Sequence, residues 1–237
     1  MNTKIFHLFD NIVLKQGFRS LWGFSVLVRF GKLTILVDTG SNGRVLLDHM
    51  SRLEVGDIPV DYLFITHRHW DHIGGLDSVL DQYPDIQLVV PESLSDHLID
   101  DMRNMGYPVT VVHTSPVTIA DGIHSTGTLE NSACEQAIML ETPKGVLLIT
   151  GCAHPGLRRI LQASQSYLDV PIYIIMGGFH LLKSDKHQVL DTIHMLKENN
   201  VRYVIPSHCT GEWAIRLIRR KMGKQFIRGG TGGMYSF

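Results

Sequence analysis

The stretch that decides the fold is Val60-Asp61-Tyr62-Leu63-Phe64-Ile65-Thr66-His67-Arg68-His69-Trp70-Asp71-His72-Ile73-Gly74-Gly75. Its opening residues form a compact apolar run of strand length. Directly after it, His67, His69, Asp71 and His72 place four metal-capable side chains in six positions. In an extended or tightly turning segment, side chains at i and i+2 fall on one face. His67 and His69 can therefore share one ion, while Asp71 and His72, beyond the turn, can reach a second. Imidazole and carboxylate ligands suit zinc, iron or manganese. Gly74-Gly75 lets the next helix begin close to this cluster.

Upstream, Gly23 to Phe30 and Leu33 to Val37 read as a hairpin turning at Gly31-Lys32, and Asp38-Thr39-Gly40 ends its second strand. A short helix is predicted over Arg44 to Met50. Downstream, a helix runs to about Gln82, a strand covers Ile86 to Val90, and helical spacing covers Ser93 to Met105, with Ser93 or Ser95 as N-cap. Val109 to Val112 and the region from Ile119 to Thr128 read as strands. In the second half, Ala137 to Glu141 and Gly145 to Thr150 form a hairpin. Helices at Leu157 to Leu168, Lys186 to Glu198 and Glu212 to Lys221 then alternate with strands at Ile172 to Met176 and Arg202 to Ile205. Such alternation predicts sheets with crossover helices, and the hairpins make them mixed. No linker or low-complexity run interrupts 1–237, so one domain is expected. The β-then-α drift of both halves hints at two similar layers.

Three later strands each deliver a histidine just past their ends: Gly151-Cys152-Ala153-His154-Pro155-Gly156, Gly177-Gly178-Phe179-His180 and Ser207-His208-Cys209-Thr210-Gly211. Sites in α/β sheets form beyond the carboxyl ends of strands. His154 and His208 are therefore read as metal ligands. His180 stays open between ligand, acid/base and packing roles. His49, His97, His187 and His194 lie on helices among charged residues and are expected on the surface. His7, His113 and His124 sit in strand-like stretches with no metal partner at useful spacing.

The pattern His67-x-His69-x-Asp71-His72, preceded by an apolar strand and by Val37-Asp38-Thr39-Gly40, resembles the metallo-β-lactamase superfamily. The later motifs resemble its dihydropterin-ribofuranosyl-aminobenzene-phosphate synthase-like subgroup. The resemblance implies an α/β fold, an αββα sandwich of two mixed sheets flanked by helices. It also implies a dinuclear centre of two zinc ions, with ferrous iron or manganese as alternatives. Most superfamily members carry a further histidine in a Gly-His-Thr context, where this chain reads Gly127-Thr128-Leu129. His154 is the expected substitute, joining His67 and His69. Cys152 stands where many members have a bridging aspartate. It is expected either to bind the second ion beside Asp71, His72 and His208, or to be a buried neighbour. Glu135 falls where the subgroup often has an acidic residue, and is expected to support a histidine.

The implied function is a metal-dependent hydrolase of a small ester, lactone or phosphate-containing substrate. Asp71 would orient a metal-activated water and His180 would protonate the leaving group or stabilise an oxyanion. Lys183 or the Gly229-Gly230-Thr231-Gly232-Gly233 tail would meet a substrate phosphate or carboxylate, unless that tail is only a flexible turn. The alternatives are a pterin-type biosynthetic enzyme and a non-catalytic metal-bound binding or sensor protein. Composition narrows the partners. With 22 basic and 23 acidic residues and a net charge of −1, the chain lacks the basic footprint of a nucleic-acid binder. No apolar run approaches the ~20 residues that span a bilayer, and the first residues lack the apolar stretch of a signal peptide. Three cysteines, an odd number, speak for a reducing compartment, so cytoplasm is expected.

Overall fold

Strands such as Gly145–Thr150, with every residue buried, need cover on both faces and belong inside a layered α/β protein. The computed structural model describes residues 3–237. Met1 and Asn2, the start of the stretch lacking a signal-peptide pattern, lie outside the described residues. In chain order the elements are β1 (Thr3–Phe9), β2 (Ser25–Phe30), β3 (Leu33–Val37), α1 (Gly43–Arg52), β4 (Tyr62–Phe64), α2 (Trp70–Ile73), α3 (Leu76–Gln82), β5 (Gln87–Pro91), α4 (Asp96–Asn104) and β6 (Val109–Val112). There follow β7 (Val117–Ala120), β8 (Ile123–Ser125), β9 (Ile138–Thr142), β10 (Gly145–Thr150), α5 (Leu157–Leu168), β11 (Ile172–Gly178), α6 (Lys186–Glu198), β12 (Tyr203–Ser207), α7 (Glu212–Met222) and β13 (Met234–Ser236).

These elements form two compact units. Residues 1–113 with 230–237 make the first, and 114–229 the second. The first contains a seven-stranded sheet in the order β13-β1-β2-β3-β4-β5-β6, the second a six-stranded sheet in the order β12-β11-β10-β9-β8-β7. Both sheets are mixed in the same way. In the first, β13, β1, β2 and β3 pair antiparallel, and β3 to β6 run parallel. In the second, β7 to β10 pair antiparallel and β10, β11 and β12 run parallel. The expected α/β architecture of two mixed sheets flanked by helices is met.

Strand alternation assigns the helix-facing side of each sheet. Leu27, Leu36, Leu63, Leu88 and Val90 join Leu46, Met50, Val79 and Met102 in one core. Met139, Val146, Leu148, Ile175 and Val204 join Ile160, Val189, Leu196 and Ile218 in another. Intervening strand residues such as Val26, Ile35, Phe64, Leu147 and Ile149 are also fully buried. Among the described residues, no helix is long and apolar enough to cross a membrane.

Two expectations fail here. His49 is not a surface side chain but is completely buried. Its Nδ1 lies 2.8 Å from the Leu8 carbonyl and its Nε2 accepts the Arg19 N–H at 3.0 Å. The glycine-rich tail is not a loose turn either. Thr231 is fully buried, and the N–H groups of Gly230, Thr231 and Gly232 donate to His7 Nδ1, the Ile12 carbonyl and the His7 carbonyl. Those amides are committed to holding the tail beside β1, which removes them as a phosphate cradle. His7 accepts at Nδ1, so its Nε2 carries the proton, and that nitrogen lies 2.9 Å from Asp10 Oδ2.

Candidate metal centre

In the first unit the candidate ligands lie beyond the adjacent carboxyl ends of the parallel strands β3 and β4. Asp38 follows β3 with φ +55, a strained value for a residue with a side chain. Its N–H donates to the Phe64 carbonyl at the end of β4 (2.9 Å). The fully buried Asp38 carboxylate accepts the Thr66 N–H through Oδ1 (2.7 Å). Oδ2 accepts both the Thr66 hydroxyl (2.7 Å) and His72 Nδ1 (2.6 Å). A carboxylate only accepts, so His72 carries its proton on Nδ1 and Nε2 is the unprotonated nitrogen.

His67 is set by the same carboxylate through one intermediary. The Thr66 hydroxyl has a single proton, which goes to Asp38. Towards His67 Nδ1, 2.9 Å away, its oxygen must accept. His67 therefore also carries its proton on Nδ1 and leaves Nε2 unprotonated. The rings of His67 and His69 lie 4.7 Å apart and those of His67 and His72 4.1 Å apart. His72 Nε2 is 3.7 Å from Asp71 Oδ2. The structure thus brings His67, His69, Asp71 and His72 together.

The local backbone differs from an extended segment. His69 is the N-cap of α2, and Asp71 and His72 sit on that helical turn. The Thr39 N–H and hydroxyl both donate to the His72 carbonyl, at 2.7 and 3.0 Å. Gly23 permits close packing of β2 on this loop, since a Cβ there would come within 2.5 Å of the Asp71 carbonyl. The Asp38-Thr39-Gly40 segment, read from the sequence as a strand end and as part of a resemblance, is what holds the histidine loop in shape. An aspartate placed directly after an apolar strand, at Val37-Asp38, was the available signal.

In the second unit Cys152 and His154 follow β10, His180 follows β11 and His208 follows β12. These strands are adjacent and parallel, so their ends converge. Ala153, His180 and His208 have φ values of +60, +53 and +49, concentrating backbone strain at this end of the sheet. The loop carrying Cys152 and His154 is wrapped around the buried Glu135 carboxylate. Oε1 accepts the N–H groups of Gly151, Cys152 and Ala153 at 3.1, 2.9 and 2.9 Å, and Oε2 accepts that of His154 at 2.8 Å. Glu135 therefore supports His154 through its backbone.

The His154 and His180 rings lie 4.4 Å apart, with His180 exposed. Lys183 is also exposed. The ligating atoms of Cys152, His208 and Cys209 all lie within 4.8 Å of one another. The three cysteines are all thiols. Burial opposes ionisation of Cys209 most strongly, but hydrogen bonds from Cys152 and His180 and the charge of His208 outweigh it. They hold its thiol well below the usual cysteine value. The hydrogen bond to Cys209 in turn raises His180, against the effect of burial. In the first unit, two imidazoles with their Nδ1 protons already directed to Thr66 and Asp38, beside the Asp71 carboxylate, fit a transition-metal ion.

Two mixed sheets, each with such side chains beyond the carboxyl ends of its parallel strands, define a class. The profile of the metallo-beta-lactamase superfamily matches residues 23–208, and the chain belongs to that family. Among its relatives is 7,8-dihydropterin-6-methyl-4-(beta-D-ribofuranosyl)-aminobenzene-5'-phosphate synthase of Methanocaldococcus jannaschii. The two are 24% identical over 286 residues, covering 100% of this chain and 97% of that protein. Among solved structures, Tm1679, described as a metal-dependent hydrolase of the β-lactamase superfamily, superposes with a TM-score of 0.80 at 25% identity and 98% coverage of both chains. A diphosphatase of the PhnP family shares the fold with a TM-score of 0.66 at 13% identity, covering 100% of this chain and 98% of its own.

Proposed function

We propose that this protein is a metal-dependent hydrolase of a small ester, lactone or phosphate-containing substrate. The observation that carries the reading is the Asp38–Thr66 relay. It commits His67 and His72 to unprotonated Nε2 atoms, with the Asp71 carboxylate beside His72. We take the centre to be dinuclear, with His67, His69 and His154 on one ion and Asp71, His72, Cys152 and His208 on the other. Its support is the family profile, which takes in all seven residues. Zinc is favoured, with ferrous iron or manganese as alternatives. A bound ion of this kind supplies an acidified water and stabilises developing negative charge.

The catalytic residues are then Asp71 and His180. Asp71 accepts a hydrogen bond from the attacking water and orients it. His180, at the exposed rim beside His154, delivers a proton to the departing oxygen. The partner is a small molecule, phosphorylated or not, with no role for nucleic acid or membrane. The three thiols suit a cytoplasmic setting.

A pterin-type synthase is the second reading, favoured by the full-length similarity to the M. jannaschii protein. Metal analysis followed by a panel of esters, lactones and phosphoesters separates the two. The hydrolase reading expects turnover of one class, lost on chelation and in Asp71→Asn, and recovered by zinc only in the wild type. A fully metallated protein inert across the panel, yet forming the relative's ribofuranosyl-aminobenzene product, would replace it with the synthase.

A further inference from the structure

We propose that Cys209 is a metal ligand, so that Cys152, His208 and Cys209 form one sulfur-rich half of the centre, selective for a thiophilic ion. The inference rests on the metal-centre reading above and adds a residue to it. All three side chains belong to the second unit, and their ligating atoms fall within 4.8 Å of one another. All are buried, with relative exposures of 4, 2 and 6%.

Their convergence has a specific cause. Cys152 follows β10 and Cys209 follows β12, with β11 between them in the sheet. A side chain at the end of β11 would keep the two sulfurs apart. That position is Gly178, where a Cβ would stand 2.5 Å from Cys209 Sγ and 3.1 Å from the Cys152 Cα. The missing side chain opens the gap across the middle strand. His208, at φ +49, turns the chain so that Cys209 points back into it, and Cys209 Sγ lies 3.3 Å from the Cys152 carbonyl oxygen. A buried cysteine serving only as a small apolar filler needs neither the strained residue before it nor a glycine cleared in front of it.

Two sulfurs and an imidazole make a Cys₂His donor set of the kind that binds zinc. Thiolate donors discriminate for zinc, cobalt, cadmium or ferrous iron and against magnesium and manganese. Ligation replaces the thiol proton by the ion and releases that proton to solvent, with no change in oxidation state.

The test loads cobalt(II) into the reduced, full-length protein and reads the thiolate-to-cobalt charge-transfer absorption in the near ultraviolet. Cys209→Ser and Cys152→Ser are each expected to lose about half of that band, one of two sulfur ligands, and the double variant all of it. A full band in Cys209→Ser overturns the proposal while leaving the hydrolase reading intact. Wild type that binds no cobalt overturns both. Should Cys209→Ser fail to fold, zinc X-ray absorption on the wild type decides. Two sulfur scatterers at about 2.3 Å per protein are expected, and one or none sinks the assignment.

Discussion

Asp38 fixes the protonation of two imidazoles with one carboxylate, and its removal should show in metal affinity before it shows in the fold. Asp38→Asn retains an acceptor oxygen but can also offer an N–H, so the tautomers of His67 and His72 are no longer dictated. Loss of such a supporting partner typically costs about 10–100-fold in metal affinity. Competitive zinc titration should show that loss with an unchanged circular dichroism spectrum. Equal affinity in wild type and variant would mean that the relay does not set the ligands. Glu135 acts on backbone instead of side chains. Glu135→Gln gives up the charge that binds four amides, at about 1.5–3 kcal/mol for each charge-assisted bond lost, and a lower denaturation midpoint is the expected reading. His49 carries a pH signature. Burial lowers it below its ordinary value of 6.5, against the opposing Leu8 carbonyl. The unfolded chain takes up the proton first, so this stabilisation is complete above pH 6.5 and declines as the pH falls below it. Stability curves should show a shallower acid slope for His49→Gln than for wild type; parallel slopes would refute the assignment.

At the level of elements, Gly23 joins β2 to the ligand loop by close approach. Gly23→Ala should lower stability by about 1–3 kcal/mol, because φ is +142 there and the Asp71 carbonyl blocks the new methyl group. Chemical denaturation measures it, and a neutral result would show that the loop yields freely. Much of this level was legible in the sequence. The β2–β3 hairpin, α5 and α6 follow from apolar periodicity and turn residues. Helix α2 was not legible, since a single turn has no period and its shape comes from Thr39 gripping the His72 carbonyl. The short edge strand β13 lacks an apolar pattern and depends on pairing with β1. His49 was misread through its charged neighbours Asp48 and Arg52. The better signal was the stripe Val45, Leu46, His49, Met50, whose helical spacing puts the histidine on the buried side. The candidate ligand histidines were visible because they cluster just past strand ends, whereas the Cys152–Cys209 encounter depends on strand order, which spacing alone does not reveal.

Across the molecule, each sheet has its own apolar core against its helices, so the fold is expected to stand without an ion. Chelation should abolish activity while circular dichroism stays unchanged, and loss of secondary structure on chelation would make the centre structural. We also expect one cooperative unfolding transition for 1–237, as for a single domain. Two stable proteolytic fragments of similar size would contradict that.

The pairing of β13 with β1 carries a consequence for synthesis on the ribosome. The outer edge of β1, from Lys4 to Phe6, receives its partner from Met234 to Ser236. Between the two parts of the first unit the ribosome must make about 116 residues of the second, which takes roughly 6–23 s at typical elongation rates. Throughout that interval the nascent chain carries an unpaired strand edge able to recruit other chains. A product stalled or terminated before Met234 should therefore be the species that aggregates, since the strand that covers this edge has not yet been made.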